Sequence, residues 1–510
     1  MRNAVGREIP DILQGHQVPS FKGAWSCDRS KQSGIIKSVD VPPSAKLLKS
    51  IDAAIDATGL RDGMTISFHH HLRNGDYVMK MVIDAIARRG IRGLTLAASS
   101  LSAVQDALVP HIEAGVITAL DTSGIRGELG HLVTSGRFKQ PIIIRTHGGR
   151  ARAIESGELH IDVAFLGAPT ADTYGNINGV DGPSACGSMG YAMVDAAHAD
   201  KVVAITDHLL PHPLQRISIP QTQVDFIVAV DKIGDPAGIS TGSLRISRDP
   251  KELIISEYAA TVIEYSGYFR DGFSLQLGSG GASLSAAKFI RGKMKAKGIT
   301  ASFGVGGITG IFVDMMEQGL VNMLFDVQDF DLQSIQSLKK NPNHLEMTAS
   351  YYASPGTKGP IVNQVDAVIL SATEVDIDFN VNVLTSSSGK LMGAPGGHPD
   401  TAGGSHLSIV ALPLLRGRLP MVREKVHTVV TPGESVDVIV TERGVAVNPR
   451  RKDLVDNLRQ SGLPLVSIED LQRLAYKITG RPDPLPEGGD IVGLVEYRDG
   501  TIIDVVRSLL

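Results

Sequence analysis

One phrase occurs twice in this chain, and its repetition limits the possible folds more than any other feature. LGAPTADTYGNIN at residues 166–178 returns as LSATEVDIDFNVN at residues 370–382, each time after an aspartate and an apolar run, with an offset of 204 residues (370 − 166). Two further pairs keep the same order at nearly the same offset: EAGVI with EQGLV at 113–117 and 317–321, and LRDGMTISF with FRDGFSLQL at 60–68 and 269–277. Ordered matches at nearly constant spacing indicate a duplicated domain.

Each half alternates short apolar strands with helical stretches. MTISF, GLTLAAS and PIIIRT have the character of strands, and NGDYVMKMVIDAIARRG has helical periodicity. This alternation predicts βαβ units around a largely parallel sheet. The expected fold class is α/β, with two tandem open α/β domains at residues 46–265 and 266–510 that follow an irregular arm at residues 1–45. We expect the ligand site in the cleft between the domains, at the carboxyl ends of the strands.

Composition excludes several classes of function. The 510 residues carry a formal net charge of −4 without a long basic run, which argues against a nucleic-acid partner. The two cysteines, Cys27 and Cys186, are too few for a disulfide framework or a thiolate metal site, and Cys186 is expected to be a small buried residue. No run approaches the roughly 18 apolar residues of a membrane span, and the first residues lack an apolar signal segment. We therefore expect a cytoplasmic chain without a membrane span.

Glu374 is the first candidate for chemistry, because the first copy of the repeated phrase has Thr170 in its place. It follows the apolar strand DAVILSAT, so it should lie at that strand's carboxyl end, where sites of α/β proteins are built. A carboxylate there can attack an acyl thioester, position a carboxylic substrate or act as a base. The alternative is that Glu374 has no catalytic role and is a solvent-exposed glutamate beside Asp376 and Asp378.

Three glycine-rich segments lie in the second half, at residues 277–283, 303–310 and 392–406. Such loops bring backbone N–H groups to a phosphate or a developing oxyanion. Together they predict a ligand site without specifying the ligand. The acidic residue expected after a dinucleotide-binding turn is not clear, and the phosphate-binding loop of ATPases is missing from the sequence.

Histidine and arginine supply the remaining candidates. SFHHHLRNGD at residues 67–76 ends a strand with three histidines and Arg73, and RTHGGRA at residues 145–151 contains Arg150. Three consecutive histidines cannot easily bind one metal, since neighbours on a strand point to opposite faces. As a cationic, hydrogen-bonding patch they can hold a polycarboxylate, and arginine can fork onto a carboxylate. The alternatives are a polar turn for the histidines and a surface turn for the arginines.

Taken together, the motifs resemble the coenzyme A-transferase superfamily. GAPTADTYGNIN is similar to the strand-and-loop phrase of those enzymes, PGGHPDTA to their GGxxD loop, and VIVTERGVAV at residues 438–447 to their closing strand. SFHHHLRNGD, FGVGGITG and the long segment from GAPGGHPDTAGG to VNPRR narrow the resemblance to the alpha-chain family of bacterial citrate lyases. This resemblance covers nearly the whole chain.

The resemblance implies a transferase that exchanges acetyl for citryl on an acyl carrier protein and releases acetate. It implies two partner chains: a beta chain that cleaves the citryl thioester, and a gamma chain that is the carrier. The chain itself would bind no cofactor and no metal, and would act on the phosphoribosyl-dephospho-coenzyme A arm of the gamma chain. An oligomer that contains all three chains is expected.

The resemblance also implies roles for particular residues. Glu374 matches the glutamate that becomes a glutamyl thioester in some members, although Phe379 stands where their phrase has glycine. In the citrate lyase branch, Glu374 would orient citrate or the thiol. His70, Arg73 and Arg150 are the candidates for the citrate carboxylates. The candidates for oxyanion or carrier-arm contacts are Gly280, Gly281, Gly306, Gly307, Gly396 and Gly397.

Two other functions stay open at this point. The first is a transferase or hydrolase that uses free acyl-coenzyme A through a glutamyl thioester at Glu374. The second is a non-catalytic module that binds a metabolite or serves assembly. Dependence on a protein-bound carrier, and turnover by the purified chain, would separate these alternatives from carrier transfer.

Overall fold

The computed structural model describes residues 1–13, 15–26, 45–240, 247–278, 280–483 and 488–509. Within them lie two large sheets, each flanked by helices and each largely parallel. The α/β prediction is therefore confirmed. Among the described residues, no helix is both long and apolar enough to cross a membrane.

The first sheet has ten strands, and all neighbouring pairs are parallel except the first pair. Its central strands are buried on both sides, as Val163–Gly167 shows with five buried residues in succession. From edge to edge the strands are Ile502–Arg507, Ile491–Glu496, Ile142–Ile144, Ile117–Thr122, Leu94–Ala98, Thr65–Phe68, Val163–Gly167, Lys201–Thr206, Phe226–Ala229 and Leu47–Leu48.

The second sheet has eight strands, again parallel except for one pair, which here lies at the last edge. In order, the strands are His344–Glu346, Val321–Asp329, Ala301–Ile308, Ser274–Leu277, Ala367–Ser371, Leu407–Ala411, Val438–Thr441 and Gly444–Val447.

The helices lie where the sequence has apolar residues at helical spacing. Val78–Arg88 buries Val78, Val82 and Ile86 on one face, and Ile51–Thr58 begins where the Ser50 side chain accepts a hydrogen bond from the Ala53 amide. The other helices are Val109–Glu113, Gly127–Thr134, His147–Glu155, Gly190–His198, Pro250–Tyr265, Gly281–Lys297, Gly310–Glu317, Leu332–Lys340, Ala349–Ala353, His398–Gly404, Lys452–Leu458 and Ile468–Thr479.

The repeated phrase forms the same small hairpin in both halves. Thr170–Asp172 pairs with Ile177–Asn178, and Glu374–Asp376 pairs with Val381–Asn382, so that Thr170 opposes Asn178 and Glu374 opposes Asn382. In each turn the aspartate side chain, Asp172 or Asp376, accepts hydrogen bonds from backbone amides two and four residues later. The duplication read from the sequence is therefore a duplication of structure.

Phe379 occupies the turn position that Gly175 has in the first hairpin. Both have positive φ, +65° for Phe379 and +101° for Gly175. A non-glycine residue in this region costs of order 1–3 kcal/mol. The Phe379 side chain is buried in an apolar cluster with Val375 and Val381, and this burial offsets the strain.

The domain boundary at residue 265 stays a prediction. Two segments pack against the half on the other side of this boundary. Helix Pro250–Tyr265 packs against Gly281–Lys297 and buries its apolar residues in the core of the second half. The hairpin at residues 491–507 pairs with Ile142–Ile144 and so extends the first sheet. Buried polar groups explain its return, because Arg145 binds Glu496 at 2.5 Å and Arg152 binds the same carboxylate at 3.2 Å.

The arm packs on both halves over its described part, residues 1–13 and 15–26. Arg7 forms an ion pair with Asp504 at 2.8 Å and donates to the carbonyl oxygen of His427 at 2.9 Å, and Phe21 enters the core of the first half. Cys27 lies outside the described residues. Cys186 is fully buried, and burial raises the pKa of its thiol well above the usual value, as expected of an unreactive core residue.

Candidate active site

Residues at the carboxyl ends of strands from both sheets meet between the two halves. His69–His71 follow strand Thr65–Phe68, and His147 follows strand Ile142–Ile144. From the second sheet, the Gln328 side-chain amide donates to the carbonyl oxygen of His70 at 3.1 Å. This is the edge at which open α/β sheets bind ligands.

An aromatic cluster forms the floor of this region. The rings of His70, His71 and His147 surround Tyr191, with centroid distances of 5.0, 5.5 and 4.5 Å. The Ser99 hydroxyl lies 2.7 Å from Nδ1 of His70 and fixes that ring. Tyr191 belongs to helix Gly190–His198 and was not singled out by the sequence analysis.

These histidines are buried or half-buried and their pKa values are lowered, which argues against the expected cationic patch. Burial, and then the nearby His147 and Arg73, hold the pKa of His70 well below its usual value. Burial and Arg150 lower the pKa of His147 to about 3, and burial and Arg150 also lower that of His69 to about 3. At neutral pH these rings therefore offer hydrogen bonds rather than positive charge.

Positive charge is supplied by two arginines instead. Arg73 has a positive φ of +51°, and its guanidinium lies 4.9 Å from the centroid of the Phe330 ring. Burial and then the charge of Arg126 lower the pKa of Arg73 to about 10, so the two guanidinium groups are near enough to repel each other. Arg126 is exposed, and no carboxylate of the described residues forms an ion pair with it. The pair is suited to a ligand with several carboxylates.

Arg150 does not belong to this pair, and its contacts argue against the predicted assignment to citrate. Its guanidinium binds Asp195 through two hydrogen bonds of 2.7 and 2.9 Å, and both side chains are buried. Asp195 lies on the neighbouring helix Gly190–His198. Since both terminal nitrogens of its guanidinium are hydrogen-bonded to Asp195, Arg150 connects helix His147–Glu155 to helix Gly190–His198.

Glu374 is completely buried and accepts four hydrogen bonds. Oε1 receives the backbone N–H of His427 at 2.7 Å and the amide of Asn382 at 3.1 Å, whereas Oε2 receives Arg423 at 2.9 Å and the Ser387 hydroxyl at 3.1 Å. The solvated alternative is therefore excluded by the geometry. A carboxylate bound in this way must lose a donor before it can attack an acyl group.

The segment GAPGGHPD contacts the start of helix His147–Glu155 in the first half. The carbonyl oxygen of Gly396 accepts the backbone N–H of His147 at 2.9 Å, and a Cβ on Gly397 would lie 2.6 Å from the Tyr352 hydroxyl. Asp400, which the sequence analysis did not select, accepts the Thr146 hydroxyl at 2.8 Å and the Gly148 amide at 3.0 Å. It thus fixes the loop of the second half to the start of a helix of the first.

The other four candidate glycines lie close to neighbouring side chains. A Cβ on Gly280 would lie 2.0 Å from the Ser371 hydroxyl, and one on Gly281 would lie 2.7 Å from the Glu252 carboxylate. Gly306 and Gly307 are not in a loop, as the sequence suggested, but inside strand Ala301–Ile308, where the pairing with the next strand shifts register. Gly307 leaves room for the Phe330 ring under Arg73.

The described residues include two groups that could hold a cation. One is the exposed set His160, Asp162 and Asp200, and the other is the buried set Asp326, Asp329 and His344. In the buried set, Nε2 of His344 lies 3.2 Å from Asp326. Burial raises the pKa of Asp326 to about 7, and burial together with Asp326 raises that of Asp329 well above its usual value. A proton shared between the carboxyl groups of Asp326 and Asp329 satisfies them as well as a bound cation would.

Asp329→Asn is expected to weaken the pH dependence of stability. Since the folded pKa values are raised, the folded chain binds more protons than the unfolded chain between about pH 4 and about pH 7, and the free energy of unfolding falls as the pH rises through that window. Without one carboxyl group, the loss between pH 5 and pH 8 should shrink by about 1–3 kcal/mol. Denaturant unfolding at pH 5 and at pH 8 measures this change in the free energy of unfolding. Asp456→Asn, at an exposed position, is the control. An unchanged pH slope would contradict the explanation.

The two largely parallel sheets place this protein in the class of α/β proteins with the coenzyme A-transferase type of fold. Residues 44–509 match the citrate lyase alpha-subunit family. The chain is 53% identical to the citrate lyase alpha chain of Klebsiella pneumoniae over 98% of its own length and 97% of the relative's, and 50% identical to that of Escherichia coli over 91% of each. The chain therefore belongs to the citrate lyase alpha-subunit family, and it is a transferase that acts between citrate and an acyl carrier protein.

Solved structures agree. The alpha subunit of citrate lyase from Streptococcus mutans, in complex with citrate, superposes with a TM-score of 0.97 at 51% identity and covers both chains completely. The malonate decarboxylase alpha subunit of Acinetobacter baumannii gives a TM-score of 0.63 at 15% identity over 86% of this chain and 93% of its own, and this likeness concerns the fold alone.

Proposed function

We propose that the cleft between the halves binds citrate through Arg73 and Arg126 and transfers the carrier thiol to it from an acetyl group. The observation that carries the proposal is that Arg73 and Arg126 both follow strands of the first sheet, Thr65–Phe68 and Ile117–Thr122, at the edge where both sheets end. Two guanidinium groups can bind two carboxylates of citrate, and the neutral His70 and His147 add directional hydrogen bonds. The solved relative in complex with citrate supports this choice of ligand.

The reaction needs no redox step and no net proton transfer. A citrate carboxylate oxygen attacks the acetyl thioester carbonyl, a C–O bond forms, and the C–S bond breaks to give a mixed anhydride and a thiolate. The thiolate then attacks the citryl carbonyl, a C–S bond forms, and the C–O bond breaks to release acetate. The chain's contribution is to orient the reactants, to exclude water and to donate hydrogen bonds to the oxyanion of each step.

In this mechanism Glu374 is not acylated. Its two oxygens already accept four hydrogen bonds, one of them from the charged Arg423. The carboxylate instead holds the segment that contains Ser387 against the backbone at His427. This arrangement favours direct exchange between carrier and citrate over the alternative that uses free coenzyme A through a glutamyl thioester.

The proposal includes partners. Membership of the family implies a multi-subunit complex, and we propose the beta and gamma chains as its other components. The substrate thiol would belong to the phosphoribosyl-dephospho-coenzyme A arm of the gamma chain. We propose that the arm approaches the arginines beside Gly396 and Gly397, which lie next to His147 and Tyr352.

Arg126→Gln tests the proposal. Loss of a charge-assisted hydrogen bond, worth about 1.5–3 kcal/mol, should raise the KM for citrate about 10- to 100-fold while the KM for acetyl carrier stays within about three-fold. The assay follows labelled citrate onto the carrier as acetate is released, with Arg459→Gln, an exposed arginine, as matched control.

Three results would contradict the proposal. Equal effects of Arg126→Gln on both KM values would remove Arg126 from citrate binding. Transfer to free coenzyme A but not to the carrier would favour the glutamyl-thioester enzyme. A folded wild-type chain that transfers to neither acceptor would leave the non-catalytic binding module.

A further inference from the structure

We propose that His71 presents its Nε2–H to an oxygen atom of the substrate, and that His69 is the positioning residue that fixes this tautomer. The inference rests on the proposed function for the identity of the substrate. The tautomer itself rests on two consecutive hydrogen bonds, from Gly167 to His69 and from His69 to His71, and is testable without turnover.

The first partner is a backbone amide. The N–H of Gly167, at the end of strand Val163–Gly167, donates to Nε2 of His69 at 3.1 Å. Nε2 of His69 is therefore an acceptor and carries no proton. A neutral imidazole has one N–H, so the proton of His69 is on Nδ1.

The second hydrogen bond determines where the proton of the next ring, His71, lies. Nδ1 of His69 is hydrogen-bonded to Nδ1 of His71. Two facing nitrogens need one donor and one acceptor, and His69 already supplies the donor. Nδ1 of His71 therefore accepts, and the single proton of a neutral His71 is on Nε2. Burial, and then the neighbouring His69 and His70, lower the pKa of His71 and keep the ring neutral.

The series of hydrogen bonds ends at Nε2 of His71. His71 is completely buried, yet its Nε2 has no hydrogen-bond partner among the described residues. A buried N–H without an acceptor is costly, and such groups in folded proteins usually have a partner or a function. The ring packs on Tyr191 beside His70 and His147, and Nδ1 of His147 is also buried without a partner within the described part of the chain.

The chemistry of this N–H group identifies the class of ligand. A buried neutral N–H donor requires an acceptor atom, and it interacts most strongly with an oxygen that bears negative charge. In the proposed reaction such oxygens are a citrate carboxylate and the oxyanion formed on the acyl carbon. A fixed tautomer costs no reorganisation when that charge appears.

Amide side chains provide matched variants. The terminal nitrogen of glutamine takes the place of Nε2 of histidine, whereas the amide of asparagine takes the place of Nδ1. His71→Asn should lower kcat/KM about 10- to 100-fold, whereas His71→Gln should stay within about three-fold of wild type. For His69 the order reverses, because His69→Asn keeps a donor at Nδ1 and His69→Gln does not. Unfolding midpoints confirm that each variant is folded.

The direct measurement is ¹⁵N NMR of the histidine-labelled chain, with and without citrate. The expected spectrum has a protonated Nε2 and an unprotonated Nδ1 for His71, and citrate should shift the Nε2 signal. A rise in KM for citrate in His71→Asn assigns the donor to a citrate carboxylate, and a fall in kcat assigns it to the acyl oxyanion. A proton on Nδ1 of His71, or equal activity of His71→Asn and His71→Gln, would overturn the inference. If the wild type fails to transfer, the proposed function fails, while the spectrum still decides the tautomer.

Discussion

Glu374→Gln is expected to lower the free energy of unfolding by about 3–5 kcal/mol, the typical cost of removing one partner of a buried ion pair. Four donors converge on the two oxygens of Glu374. A glutamine offers one oxygen and one NH₂ group, so donors would face a donor at one of the two positions. Arg423, whose side chain is only 10% exposed, would also lose its counter-charge.

A double variant separates charge from packing. Glu374→Gln combined with Arg423→Met removes both charges and should recover the part of the loss that comes from the unpaired charge of Arg423, while the donor opposite the glutamine NH₂ group keeps its cost. Denaturant unfolding of the purified chain measures each step. In the wild type, borohydride reduction during turnover should give no modified Glu374 peptide. A reduced Glu374, or a Glu374→Gln chain as stable as the wild type, would contradict the anchoring role.

Arg150→Met is expected to cost about 3–5 kcal/mol of folding stability while the KM for citrate of the folded chain stays within about three-fold. The reason is Asp195, a completely buried carboxylate that receives both hydrogen bonds of the fork. Without Arg150 it would be left as a buried charge. Chemical denaturation and citrate kinetics on the same preparation measure the two effects.

The control for Arg150 is again a double variant. Arg150→Met with Asp195→Leu replaces the pair by apolar groups and should be nearer to wild-type stability than Arg150→Met alone. A large rise in the KM for citrate with unchanged stability would contradict the structural role and return Arg150 to the substrate site.

The architecture was predictable because it depends on local periodicity and on the repeated phrase. Alternating strands and helices predict a parallel sheet, and the offset between the hairpins at residues 166–178 and 370–382 predicts two equivalent units. The return of residues 491–507 to the first sheet was not predictable. It depends on Arg145 and Glu496, whose ion pair joins positions 351 residues apart.

The candidate site was only partly predictable, for the same reason. Residue types at the ends of strands located His70, Arg73 and Glu374, but not their partners. Arg150 and Arg126 have the same chemistry in the sequence, and only the fold places Asp195 beside one of them. One local signal for Arg126 was present. Arg126 lies in the turn SGIRG directly after strand Ile117–Thr122, and the other candidates were also selected because they follow the ends of strands.

The return of the last hairpin also determines how the two halves are joined. Helix Pro250–Tyr265 belongs to the core of the second half, whereas strand Ile491–Glu496 extends the first sheet, so the order of the sequence does not follow the division into halves. A single cut in the chain would therefore not release the two halves as separate, complete units.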